Sequence, residues 1–276
     1  MKRFVKLLNF ELSRFMKIYL VLAAFTAIVQ ITGVIVKAKQ YLGKANEAMT
    51  TEGLSQAQFL DRNPPMSFLN VTQTLWFVGP IAICAAALIF YIFMIWYRDW
   101  FGKNTFIYRL LMLPTTRMNI YLSKASSIVL MTLGLISFEL ILLPLEMGIL
   151  KWMLPVDFWE YMSVNQILNW NVLTILIPHT FTEFILYYGA GFMAVSVLFT
   201  AVLFERSFRW KGIAAGIIYA LLSLAVMLSP FLVKVFADHY YLYPLETIWL
   251  EIGLGLVVTA GSLWTGYYLL TKKITV

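Results

Sequence analysis

Glu139 and Glu146 stand seven residues apart in an otherwise apolar stretch, which sets them near one face of a helix, with Pro144 between them. The stretch from about Ser126 to Leu150 is long enough to cross a bilayer, and Glu139 falls close to its middle. An ionisable group at that depth costs about 2.5–3.5 kcal/mol on insertion scales for Asp, so it faces protein or water rather than lipid. Two chemistries fit: a polar patch along a substrate path or gate, and a protonated carboxyl hydrogen-bonded to a neighbouring helix. Gln30, in the apolar run 18–36, joins Glu139 and Glu146 as a candidate path residue. Thr26 and Gly33 on the same stripe read as helix packing.

Other reactive side chains are sparse. The chain has two histidines, His179 and His239. His179 and Glu183, four apart, could share a helix face, but two ligands are too few for a metal site. Cys84 lies in an apolar run and reads as a small packing residue. Glu246 and Glu251 fall near the outer end of the last apolar run, and no chemistry is assigned to them. The sequence contains no G-x-x-x-x-G-K-[ST] phosphate loop, no H-E-x-x-H and no G-x-S-x-G. No catalytic, cofactor-binding or metal-binding residue is therefore assigned.

The elements that position these groups follow from composition. Hydrophobic residues make up 61% of the 276 and charged residues 13%, against about a half and a quarter in soluble domains. This describes an integral membrane protein. With a cytosolic N-terminus, the inner segments collect Lys2, Arg3, Lys6, Arg14, Lys17, Arg98, Lys103, Arg109, Arg117, Lys124, Arg206, Arg209, Lys211, Lys272 and Lys273. The outer segments keep Lys37, Lys39, Lys44, Arg62, Lys151 and Lys234. That asymmetry is the positive-inside pattern, and it accounts for the net charge of +7 without a nucleic-acid partner.

The expected fold is an all-α integral membrane protein forming one transmembrane domain over residues 1–276. Residues 1–17 carry Phe4, Leu8, Leu12 and Phe15 along one stripe, which predicts an amphipathic helix on the inner surface. Six spans are predicted at about 18–36, 76–97, 126–150, 181–204, 212–233 and 247–270, with both termini cytosolic. Residues 37–75 read as a polar outer loop broken at Asn63-Pro64-Pro65, and 151–180 as a short helix on the outer surface. Phe236 to Tyr243, with Pro244, read as an aromatic outer connection.

Between the second and third spans, Phe106, Ile107, Leu110, Leu111 and Leu113 recur at helical spacing, with Asn104, Thr105 and Arg109 mainly opposite. The pattern predicts a short interfacial helix stopped by Pro114, with Thr115 or Thr116 as N-cap of the next helix. It fits a turn resting on lipid headgroups, and equally a lever that passes a partner's movement into the bilayer.

Residues 105–124 resemble the first intracellular loop of the type-2 permease subunits of ATP-binding-cassette exporters. The likeness rests on Leu110-Leu111, Leu113-Pro114, Arg117 and Ser123-Lys124, and extends to an N-terminal helix with Glu11 and Arg14. The resemblance implies a coupling helix. A separate cytosolic ATPase, which carries ATP and Mg, would dock on Phe106, Ile107, Arg109, Leu110, Leu111, Leu113, Pro114 and Arg117. Arg117 and Lys124 would anchor the foot of span three. It also implies a second permease subunit, identical or homologous, residence in the bacterial plasma membrane, and no cofactor in this chain. A small permease of this kind looks like those exporting hydrophobic or amphipathic peptides and antibiotics. Two other classes stay open: an intramembrane hydrolase or lipid-modifying enzyme using Glu139, Glu146 or Glu183, and a non-transporting scaffold or sensor subunit.

Overall fold

Inside a bilayer every backbone N–H and C=O must be satisfied within the segment, and uninterrupted runs of Leu, Ile, Val, Phe and Ala do this as helices. The computed structural model describes residues 2–101, 106–169, 173–236 and 243–274. Among them are six helices long and apolar enough to cross a membrane, as a multi-pass membrane protein requires. No strand forms among the described residues; one isolated parallel bridge joins Met66 and Trp159.

The order is α1 (Lys2–Thr51), α2 (Gln56–Arg62), α3 (Leu69–Thr72), α4 (Leu75–Trp100), α5 (Phe106–Leu111) and α6 (Arg117–Met153). Then come a 3₁₀ turn (Val156–Phe158), α7 (Val164–Leu168), α8 (Leu173–Leu176), α9 (Phe181–Phe208), α10 (Trp210–Phe236) and α11 (Pro244–Tyr268). A π-helical turn (Leu269–Lys273) follows α11.

Several boundaries differ from the sequence expectation. No break separates residues 1–17 from the first span: α1 continues for 50 residues, more than twice what a bilayer crossing needs. No Pro or turn pair occurs before Gly53, which takes φ +66, so nothing stops the helix sooner. The predicted outer loop 37–75 thus begins as helix, and Asn63 closes α2 just before the paired prolines. Span three starts at Arg117, nine residues ahead of the predicted start at 126. Most of the connection predicted at 236–243, including His239, lies outside the described residues, as do Gly102, Lys103, Asn104 and Thr105.

Two compact units emerge from the contacts: Met1–Arg14 with Leu88–Leu130 and Thr180–Val276, and Phe15–Ala87 with Met131–His179. In the first, Trp96, Tyr121 and Phe199 are fully buried. Phe199 meets the other two rings edge-on, at 5.5 and 5.4 Å. Tyr121 Oη donates to Ser196 O at 2.8 Å, and Thr200 Oγ1 to Ser262 O at 3.0 Å, tying α6 to α9 and α9 to α11. Helices α9 and α10 turn back through Arg209, held at φ 53. The pair Gly212 and Gly216 lets α10 approach α9 so closely that a Cβ at Gly212 would meet Phe204 O at 2.0 Å.

The second unit packs Val34, Phe68, Phe77, Leu143 and Leu150 with Ile167 and Leu173. The apolar stripe of 151–180 is therefore core. It is carried by two short helices, α7 and α8, where one helix on the surface was expected. Gly33 admits Trp76 so closely that an added Cβ would lie 2.5 Å from the tryptophan Cβ.

Candidate functional site

In the first unit, α5 is seated by its apolar side. Ile107, Leu110 and Leu111 are 0–7% exposed, and Phe106 is half-buried. These side chains, predicted as docking residues, are turned into the chain's own interior, because a six-residue helix has enough apolar surface for one interface only. Tyr108, Arg109, Met112, Leu113 and Pro114 remain exposed. Helix α5 ends at Leu111, before Pro114, and Thr115 Oγ1 accepts from the Asn119 side-chain amide at 2.7 Å.

Arg117 serves the end of the chain. Its Nη1 donates to Leu270 O at 2.5 Å and Ile274 O at 2.7 Å, supplying donors to carbonyls that a helix terminus leaves without partners.

Seven residues farther along α6, Lys124 is fully buried, and its ammonium uses all three donors. Nζ donates to Glu11 Oε1 at 2.7 Å, Asp99 Oδ2 at 2.5 Å and Ile95 O at 3.0 Å. Each carboxylate then holds an arginine: Asp99 takes Arg14 at 2.8 Å, and Glu11 takes Arg98 at 3.1 Å. Five charges from α1, α4 and α6 make one closed network. Charges removed from water are tolerated only when paired and hydrogen-bonded in this way.

The network reaches α5 through one cation. The Arg14 guanidinium lies over the Phe106 ring at 5.3 Å and the Phe10 ring at 5.0 Å, and those rings stack at 5.7 Å. The sequence reading named Lys124 and, separately, Glu11 and Arg14, but neither Asp99 nor the pairing of these groups. A signal was present: the cation-rich segments that the sequence reading places inside contain only three acids, Glu11, Asp99 and Glu205. All three are paired, Glu205 accepting from Tyr97 and bridging to Arg206.

The second unit holds the intramembrane polar residues. Gln30 Nε2 donates to Glu139 Oε1 at 2.8 Å and to Phe77 O at 3.3 Å, joining α1, α6 and α4. Gln30 and Glu139 are buried, at 1% and 6% exposure. Glu146 is 0% exposed, and neither carboxyl oxygen has a hydrogen-bond partner among the described residues. Sequence spacing put the two glutamates on one face, and the structure joins Gln30 to Glu139 alone. Thr26 Oγ1 and Cys84 Sγ lie 3.2 Å apart, a packing contact between α1 and α4.

Three further acids singled out in the sequence sit at helix starts or in a cleft. Glu183 accepts from Thr180 N, which closes a capping box at the start of α9. Glu246 accepts from Tyr243 N at the start of α11. Glu251 lines a largely apolar cleft of about 240 Å³ between α9, α10 and α11, with Met193, Met227 and Thr259. Among the described residues no three His, Cys, Asp or Glu side chains group as metal ligands.

Comparison of the chain with protein-family models, with curated proteins and with solved structures gave no match in any of the three.

Proposed function

We propose that the chain is the permease subunit of an ATP-binding-cassette exporter, driven by a separate ATPase that docks on the exposed side of α5. The observation that carries this reading is the connection from α5 to the buried network: Phe106 to Arg14, Arg14 to Asp99, Asp99 to Lys124. A short helix resting on lipid has no need of such a link. A lever does, since force applied to it must reach spanning helices rather than dissipate in side-chain motion.

Docking then falls to Tyr108, Arg109, Met112, Leu113 and Pro114, which are exposed, rather than to Ile107, Leu110 and Leu111. The same three helices that form the network, α1, α4 and α6, also contribute Gln30, Phe77 O and Glu139, the polar groups of the proposed path or gate. Glu146 belongs to that path as a group whose hydrogen bonds are incomplete in this conformation. Cargo in this reading is a hydrophobic or amphipathic peptide or antibiotic, moved by two such permeases, identical or homologous, in the bacterial plasma membrane with both chain termini in the cytosol.

The test is affinity purification of the detergent-solubilised chain from its native host, with ATP hydrolysis assayed in the co-purifying proteins. The expected result is an ATPase whose recovery falls in the variant Arg109→Glu/Met112→Asp. Both side chains are exposed, so the variant should still insert and fold. Recovery of the chain alone, or of an ATPase indifferent to these substitutions, rejects the reading.

A further inference from the structure

We propose that the face of α1 just past its apolar run binds a phosphate group presented at the membrane surface. Lys37, Gln40, Tyr41 and Lys44 stand at i, i+3, i+4 and i+7, a single helical stripe. With Met66 and Asn70 they line a cleft of about 150 Å³. Drug-sized ligands use pockets of about 300–1,000 Å³, so this one suits a small polar group.

The polar chemistry of the lining is mostly donating. Two ammonium groups and the amides of Gln40 and Asn70 border the cleft, and no carboxylate does. The Tyr41 hydroxyl is directed elsewhere, donating to Pro64 O at 3.2 Å. Neither Lys37 nor Lys44 has an ion-pair partner among the described residues, and Lys37 is half-buried. An anion seated in the cleft would give both ammonium groups a counter-charge that the chain itself does not supply there.

Position selects the ligand class. Lys37 follows directly on the apolar run that ends at Val36, so the cleft opens at headgroup depth. Phosphate at that level comes from a lipid headgroup or from free phosphate in the adjoining solution, and the chemistry of recognition is shared. Lys39 lies two residues from Lys37 at the same depth, exposed and off the cleft, and so provides an internal control for non-specific charge. The inference rests on α1, α3 and the segment just before α3 that carries Met66, and is independent of the transporter reading.

The experiment is calorimetric titration of the full chain in a phosphate-free, non-ionic detergent with two probes, dihexanoyl phosphatidylglycerol and inorganic phosphate. Lys37→Gln/Lys44→Gln should weaken saturable binding about ten- to thirtyfold, the effect of two surface lysines on an anionic headgroup. Lys39→Gln should leave it unchanged. The single variant Lys44→Gln, at an exposed helix position, should fold as the parent does and show an intermediate loss. Binding of the lipid alone assigns the site to a headgroup, and binding of both probes assigns it to phosphate itself. Absence of saturable binding, or an equal loss in Lys39→Gln, overturns the proposal.

Discussion

Lys124 donates to Glu11 at 2.7 Å across 113 positions of sequence, with both side chains buried. The contact fastens the start of α1 to α6 within the first unit. Glu11 occupies the same stripe as Leu8 and Leu12, and these three side chains are buried or half-buried in the first unit. An acid there is stable because a buried cation meets it, and the cation is stable because Asp99 and Ile95 O complete its coordination.

Removing one member of a buried network costs more than the pair is worth, because it strands the others. Lys124→Met should destabilise the protein by about 3–5 kcal/mol, the usual penalty for uncompensated buried charge. Arg98→Met, at a position whose side chain is 26% exposed, should cost clearly less. Thermal unfolding in detergent, followed by helical circular dichroism, separates the two. Equal losses would mean that the ammonium is not the hub.

At Gly212 the requirement is space. A Cβ there meets Phe204 O at 2.0 Å and Glu205 Cα at 2.9 Å, both backbone atoms that cannot rotate away. Gly212→Ala should therefore force α9 and α10 apart and cost about 1–3 kcal/mol, as overpacking does elsewhere. Gly148, around which an added Cβ meets nothing within 4 Å, provides the comparison. Gly148→Ala should be neutral or slightly stabilising, since alanine favours the helix.

Arg209 makes the reverse prediction. Its φ of 53 with ψ −128 is backbone that L side chains rarely adopt, at a cost of order 1–3 kcal/mol. Arg209→Gly relieves that strain and should raise the unfolding temperature, provided glycine's larger unfolded-state entropy does not exceed the relief. A lowered unfolding temperature would show that glycine's unfolded-state entropy, with the loss of the arginine side chain, outweighs the strain relieved.

How far the fold and the site were legible in the sequence differs between elements. The spans were, since twenty apolar residues admit few alternatives in lipid. The long continuation of α1 was not, because Lys37, Lys39 and Lys44 look like loop composition while also being good helix formers. The seating of Ile107, Leu110 and Leu111 was half legible: periodicity identified an apolar face but cannot say whether protein, lipid or a partner covers it. The pairing of Glu139 with Gln30, rather than with Glu146 seven residues away, depends on how α1 meets α6. No local pattern encodes that contact.

Glu146 is the residue on which stability and function should part. Its carboxyl is fully buried with no hydrogen-bond partner among the described residues, a state that costs about 1–3 kcal/mol for an unsatisfied polar group. Glu146→Leu removes that cost and packs beside Leu143 and Leu150, themselves core residues, so it should stabilise the protein by a comparable amount. Glu139→Leu should do the opposite, because it leaves the Gln30 amide without its 2.8 Å acceptor. Side-by-side melting curves in detergent give the signs directly. If Glu146 belongs to a transport path, the stabilised Glu146→Leu protein should insert normally and lose export when paired with its ATPase. A stable variant with export intact would reduce Glu146 to a packing residue, and loss of stability in Glu146→Leu would reveal a partner for the carboxyl.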